Sequence, residues 1–406
     1  MVSKQQIHVF SIRTFQPRVF LKLLRFIVMG ISFMMLSHAE DTAWKISARL
    51  TSFTDATIEG DGDKSLQFSG RLDAFVSSGE LWKGGSLNAH FEYVDGDEFT
   101  GLGTGGVLLP TNIYATVPRA TGTSNATLSM TLHQQFSASA SGAFGKFNVI
   151  ELARNIPLVG GKGKGGFQYT GIAAPPSFVF PPYVFGAQFA YATESVNYSL
   201  LIYDPNNAQG SDFFNNLFDD GVVFNGTATY KTSINDRPGF YGLNIIHSTA
   251  SGTDYDSLLQ SSDADSFTNQ IKGVTIVTLK VQQYLSYNPD NTDEGWGIFG
   301  QIGFADGNPS QLDNVFVVGL AGTSPITGRG NDRWGIAGSR FNWSDKMIEV
   351  LEVDGNGLRD EWALEAFYEA AINDTLRVGL NIIQVQPGLP EFDKHIQTGV
   401  RLRASF

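Results

Sequence analysis

The sequence predicts an all-β fold, a transmembrane antiparallel β-barrel of about 16 strands behind an export signal. Three observations predict it. The N-terminus is basic and then briefly apolar, the body of the chain alternates polar and apolar residues with a period of two, and the last such run stops on an aromatic residue.

Residues 1–39 hold five basic side chains, Lys4, Arg13, Arg18, Lys22 and Arg25, and no acidic one. The apolar stretch within them, residues 26–36, is shorter than the roughly 20 residues that a permanent membrane helix needs. Ser37 and Ala39 put small residues at the two positions a signal peptidase reads, so cleavage before Glu40 is expected. The chain thus divides into a signal peptide, residues 1–39, and one barrel domain, residues 40–406.

Removing the signal takes five of the 28 basic residues and leaves 23 against 40 acidic ones, a net charge of −17. Such a balance excludes nucleic acid as a partner, because phosphate binding needs clustered Lys and Arg. With no cysteine, backbone pairing and packing must hold the exported chain together. No later segment is apolar for long enough to be a membrane helix, and the remaining way to satisfy a backbone in lipid is a closed barrel. The 45 Gly, 31 Phe, 13 Tyr and 6 Trp suit tight turns and interfacial aromatic girdles.

Along residues 66–74, Leu66, Phe68, Gly70, Leu72 and Ala74 alternate with Gln67, Ser69, Arg71 and Asp73. Only a strand sends those two sets to opposite faces. The pattern recurs at residues 87–93 and, as one longer run, at 128–140. Further strands are predicted at 196–202, 222–230, 241–247, 274–281, 296–304, 362–368 and 376–382, with helical spacing competing only around 362–371. Residues 204–207, 235–239, 288–291 and 306–309 carry the Asn, Asp, Pro and Gly of turns, and 251–269 reads as a surface loop. At the end, Ile396, Thr398, Val400, Leu402, Ala404 and Phe406 alternate with His395, Gln397, Gly399, Arg401, Arg403 and Ser405. A final strand ending in Phe is the signal that outer-membrane assembly machinery reads, here carried by Val400, Leu402 and Phe406. At about 9 to 11 residues per strand plus turns, the chain length suits about 16 strands.

A family resemblance sits on residues in the second half: Gln282-Gln283-Tyr284-Leu285, then Gly295-Trp296-Gly297-Ile298-Phe299-Gly300-Gln301-Ile302-Gly303-Phe304-Ala305-Asp306-Gly307. Val318-Gly319-Leu320 and Gly328-Arg329-Gly330-Asn331-Asp332-Arg333-Trp334-Gly335 continue it, as a strand, turn and strand around a Gly-Arg-x-x-Asp core. Residues 361–368 and 399–406 complete it, with a looser likeness at 144–147 and 175–187. The chain resembles the carbohydrate-selective outer-membrane porins, also called OprB-like porins. The resemblance implies a 16-stranded barrel that admits sugars passively across the outer membrane of a Gram-negative-type bacterium. The alternative is a general diffusion porin or a structural barrel.

Alternation places the polar face of each strand in a wet lumen. Pore-lining and sugar-contact candidates are therefore Arg71, Asp73, Asn88, His90, Glu92, His133, Gln135, Glu365, Glu369, Arg401 and Arg403, with Arg154 added from a segment that resembles a family region. Charged and amide groups can hydrogen-bond sugar hydroxyls, and Glu92 is the best single candidate. Arg401, as a lumen residue, is expected to tolerate change far better than the lipid-facing Leu402. No catalytic residue, metal or cofactor is expected. No His lies in a metal-binding spacing, and Gly160-Gly161-Lys162-Gly163-Lys164-Gly165-Gly166 lacks the Gly-Lys-Ser/Thr ending of a phosphate loop, so it reads as a flexible basic loop. The expected partners are mono- or oligosaccharides, outer-membrane lipid and the assembly machinery.

Overall fold

The computed structural model describes residues 44–97, 105–119, 124–163, 165–175, 181–210, 212–260, 269–291, 294–353 and 357–406. The expected export signal and its expected cleavage site lie outside these residues.

Sixteen antiparallel strands close into a barrel, each paired with its neighbours in sequence and β1 with β16. The first eight are β1 (Lys45–Glu59), β2 (Gln67–Ser77), β3 (Gly85–Gly96), β4 (Ala126–Gln135), β5 (Ala140–Asn148), β6 (Tyr183–Ala192), β7 (Val196–Tyr203) and β8 (Val223–Ile234). The second eight are β9 (Arg237–Thr253), β10 (Gln270–Tyr287), β11 (Gly295–Ala305), β12 (Leu312–Thr323), β13 (Arg333–Trp343), β14 (Glu361–Ala371), β15 (Leu376–Gln386) and β16 (His395–Ser405). Closure leaves no strand edge with unpaired backbone groups, as a membrane requires. No described helix is long and apolar enough to cross a membrane.

The outer wall is apolar for the reason the dyads predicted. Val318, Ile336, Leu364, Leu380 and Leu402 are exposed, while their strand neighbours Val317, Ala337, Glu365, Asn381 and Arg401 are buried inside. Turns after even-numbered strands include the shortest of the barrel, residues 136–139, 193–195, 235–236 and 372–375, and none exceeds 324–332. In the tightest, Asn235 and Asp236 have φ of 52° and 58°, the left-handed pair that a two-residue hairpin needs. Connections after odd strands include the long segments 97–125, 149–182, 204–222, 254–269 and 344–360. In outer-membrane barrels the short turns face the periplasm and the long loops face outward. Near the short-turn end Tyr191, Tyr198, Tyr230 and Tyr241 stand exposed on the outer wall, where amphipathic rings favour the interface.

Several sequence expectations change. The run 128–140 is not one strand: β4 ends at Gln135, Phe136 N–H bonds Ala140 O (2.9 Å) in the turn that follows, and Ala140 opens β5. Its Ser and Ala residues continue the dyad through the reversal, and a period cannot reveal a change of direction. Residues 237–239 belong to β9, and 251–269 splits into the end of β9, a helix at Tyr255–Gln260, and residues 261–268 outside the described set. The region 362–371 is strand throughout. Strands β1, β5 and β6 escaped notice because β1 points Ser52, Thr54 and Ala56 outward, β5 opens on Ala140, Ser141, Gly142 and Ala143, and β6 carries Gly186, Ala187 and Ala190, so none shows a strong apolar period.

Two long loops turn inward. They carry α1 (Ile113–Thr116), α2 (Val149–Arg154) and α3 (Thr170–Ala173). Val107, Ile113, Leu158, Phe167, Tyr169 and Ile172 pack against Phe53, Val317, Phe341, Phe367 and Val385 of the inner wall, filling the side of the barrel made by β1 and β12–β15. Phe167 meets Phe367 edge-on with ring centroids 5.0 Å apart, a favoured aromatic geometry.

Candidate functional site

Strand alternation sends Arg49 of β1, Arg71 and Asp73 of β2 and His90 and Glu92 of β3 to one patch of the inner wall. Arg49 Nε donates to Asp73 (3.0 Å), and Arg71 donates to Asp73 (2.9 Å) and to Glu92. His90 Nε2 lies 3.0 Å from Asp73, and Asn148 Nδ2 donates to Glu92 (2.6 Å). Asn148 also caps α2 by accepting the Glu151 N–H (3.0 Å). That cap sets Glu151 and Arg154, three residues apart on one helix face, toward the patch. Arg49 reaches Glu151 at 3.0 Å, and Arg154 lies 3.7 Å from Asp73 with its guanidinium over the Tyr114 ring (4.4 Å). Burial pushes the Glu151 carboxyl up, but Arg49 and Arg154 outweigh it and hold the group below its ordinary value.

Asp73, His90 and Glu92 each offer a ligand atom within 4.8 Å of the others, the convergence of a cation site. Here the carboxylates are engaged by guanidinium groups, so Arg71 supplies the positive charge at their centre.

A second cluster gathers toward the short-turn end of β13–β16. Glu369 meets Arg401 (2.8 Å), Arg403 and Arg377 (3.8 Å). Three arginines also hold the glycine-rich segment: Arg403 donates to Gly163 O (3.0 Å), Arg333 to Gly165 O (2.8 Å) and Arg401 to Gly166 O (3.2 Å). A Cβ at Gly165 would lie 2.4 Å from the Glu369 carboxylate, so only glycine lets the backbone come this close. The run expected to be a flexible basic loop is therefore an anchored one.

Between the clusters, Glu361 accepts the N–H groups of Leu108 (2.7 Å), Leu109 (3.1 Å) and Gly388 (3.1 Å) and the Tyr169 hydroxyl (2.7 Å). Glu365 accepts the N–H groups of Gln168 (2.8 Å) and Tyr169 (3.0 Å). On the opposite wall Gln188, Ser199, Thr227, Thr229 and Gln301 are half-exposed and Lys280 is exposed, a largely neutral polar surface.

Of the predicted site residues, Arg71, Asp73, His90, Glu92 and Arg154 join the first cluster and Glu369, Arg401 and Arg403 the second. Glu365 clamps a loop. Asn88, His133 and Gln135 are not brought to either cluster. His133 pairs with Thr131 (2.8 Å), and Gln135 is exposed and donates to Ala140 O (3.1 Å) across the β4–β5 turn. They share the polar parity of their strands but sit nearer its short-turn end, where no inward loop meets them. Sequence reasoning missed Arg49, Glu151, Arg333, Glu361 and Arg377. The four-residue spacing of Glu361, Glu365 and Glu369 is even, which puts all three on one strand face and was a usable signal.

The family model for the carbohydrate-selective porins, OprB family, matches residues 82–406. The high-pH structure of Pseudomonas putida OprB is similar to the chain with a TM-score of 0.73 at 16% identity, covering 89% of this chain and 94% of that one. Its low-pH structure gives 0.52 at 13% identity, with coverage of 89% and 92%. The outer membrane channel DcaP of Acinetobacter baumannii gives 0.53 at 9% identity, with coverage of 89% and 97%. At these identities the solved structures establish the shared barrel fold. No curated protein matches the chain in sequence. The family match, which spans most of the chain and every strand from β3 to β16, establishes that it belongs to the carbohydrate-selective porin family, OprB.

Proposed function

We propose that this outer-membrane channel for small solutes passes mono- or oligosaccharides, which move between the two charged clusters and the neutral polar wall facing them. The observation that carries the reading is the asymmetry of the lumen. Inward loops fill one side and are locked to the wall by ion pairs and carboxylate clamps, while Ser, Thr and Gln on the other side stay open to water. A sugar presents hydroxyls all round its ring, so fixed donors and acceptors on one side and weak neutral partners on the other let it exchange water for protein contacts. Binding must stay weak, because conduction requires exit as well as entry. Passage makes and breaks no covalent bond, and no residue is assigned a catalytic role.

Arg71, Asp73, His90, Glu92, Arg154, Glu369, Arg401 and Arg403, with Arg49 added, are the proposed charges of the narrow region's wall; at 0–8% exposed they act on a passing solute through their field and through the loops they anchor. The outer-membrane location is reached after cleavage before Glu40, which N-terminal mass determination of the mature protein tests. Planar-bilayer conductance with a panel of sugars tests the reading itself. Sugars are expected to reduce single-channel current saturably, and a conductance insensitive to every sugar identifies a general diffusion porin. In a salt gradient, Glu92→Gln is expected to lower cation preference at low salt, where screening is weak. An unchanged reversal potential there removes Glu92 from the ion path.

A further inference from the structure

We propose that the long-loop mouth carries a separate saccharide-capture site, built on Phe218 beside a polar cavity of about 820 Å³, where a sugar docks before it enters the channel. The inference rests on the sugar-channel reading above and extends it to a place that neither charged cluster reaches.

The cavity is bounded by the 204–222 loop, the ends of β9 and β10, and residues 309–311. Phe218, Asp219, Asp220, Tyr255, Gln270 and Lys272 are among its lining residues. The charged clusters belong to β1–β3 and β13–β16, so this mouth site stands over the other half of the barrel.

Phe218 is the unusual member. The residue is 42% exposed, and its backbone has φ 62°, a left-handed conformation that an aromatic residue adopts at a steric cost. The surrounding structure enforces that conformation. Asp204, 3% exposed, accepts the Phe218 N–H through one carboxylate oxygen and the Asn206 N–H (2.7 Å) through the other. The Phe218 carbonyl accepts from Gly221 (3.2 Å), and Asn206 Nδ2 donates to Asp220 (2.9 Å). A buried carboxylate therefore holds a strained turn whose product is a phenyl ring held against a polar cavity. The loop's apolar anchor is a different ring, Phe213, which packs against Phe185 with centroids 5.4 Å apart.

An aromatic face beside carboxylates, an amide and an ammonium group suits a sugar ring. The apolar C–H face stacks on phenyl, Asp219 accepts from hydroxyls, and Gln270 and Lys272 donate to them. A lipid-girdle role fits less well, since a girdle ring such as Tyr230 borders a largely apolar stretch of the outer wall with Val196, Ala228, Leu243 and Leu279, whereas Phe218 borders Asp219, Asp220, Gln270 and Lys272.

The test uses the full purified protein in planar bilayers, with maltohexaose added on the long-loop side. Phe218→Ala is expected to raise the half-blocking concentration about tenfold, the size of one lost aromatic contact. Phe218→Tyr retains block, and both variants keep the parental conductance in potassium chloride. An unchanged half-blocking concentration in Phe218→Ala overturns the capture site while leaving the sugar channel standing. Equal loss in Phe218→Tyr overturns it too, because the effect then belongs to the loop and not to stacking. If the parent protein shows no sugar block, the channel reading fails and the capture site fails with it. Should Phe218→Ala not assemble, Phe218→Trp supplies the readout: maltohexaose is expected to change its fluorescence saturably, and a flat titration overturns the proposal.

Discussion

Arg401 and Leu402 are adjacent in β16 and leave the strand on opposite faces, so Leu402 is 45% exposed on the outer wall and Arg401 5% exposed inside. Placing Arg on the lipid face costs about 2–4 kcal/mol at mid-membrane and less toward the interface. Val400→Arg, at mid-strand, should lie near the top of that range and Leu402→Arg below it, as read from urea titration of the folded barrel in detergent. Equal stability of both variants and the parent would count against the assigned outer face. From sequence, Arg401 looked cheap to change. The structure corrects this, because Arg401 ties Glu369 (2.8 Å) and Gly166 O (3.2 Å) together. Arg401→Leu is expected to cost about 1.5–3 kcal/mol, the usual worth of a hydrogen bond to a charged group. The family's Gly-Arg-x-x-Asp core gains a physical account at this scale as well. Asp332 accepts Arg329 Nε (2.6 Å), the Tyr368 hydroxyl (2.6 Å) and the Ala371 N–H (2.8 Å), fastening the β12–β13 turn to the end of β14.

Among the elements, the inward loops depend on β14 more than on their own short helices. A helix of four or six residues has too few internal hydrogen bonds to persist alone. Glu361 supplies acceptors for both loop segments, and Glu361→Ala leaves three backbone N–H groups and one hydroxyl without their partner. The barrel should still assemble, since β14 keeps its ladder to β13 and β15. The 105–119 segment should detach, giving a larger single-channel conductance and new protease sensitivity there; parental values of both would refute the clamp. Helix α2 responds instead to pH. Glu151 is held below its ordinary value, so its charged tether to Arg49 is complete above the ordinary carboxylate range and fails as pH falls through the lowered value. Protease cleavage within α2 should stay at its neutral-pH level down to about pH 5 and rise only below about pH 4. A rise already at pH 6 would point to another group.

For the whole molecule, closure is the decisive event. Phe406 and Ala48 exchange both backbone hydrogen bonds, at 2.8 and 3.0 Å, at the last step of the β1–β16 seam. Deleting Phe406 removes that pair together with the terminal aromatic, so insertion should slow and unassembled chain should accumulate and be degraded. Normal surface levels with normal heat-modifiable migration would show that the terminal residue is dispensable.

The sequence by itself determined the architecture of the barrel. Period-two alternation, turn residues and the terminal strand all act between near neighbours, and a membrane barrel repeats that local rule around its circumference. It also showed which residues face inward, because parity along a strand is a local property: Glu365, Glu369, Arg401 and Arg403 all lie where their dyads put them. Only the tertiary structure decided what those residues meet. Gly166 and Arg401 are 235 positions apart, and Leu108 and Glu361 are 253 apart. Nothing in a strand's pattern says that a loop will enter the lumen and occupy the wall's charges. Parity selects a face, but depth along the barrel axis and the path of the long loops are set by packing against strands far away in sequence. The same pattern therefore left His133 half-buried beside Thr131 and Gln135 exposed while it buried Glu92 to 1% against Arg71.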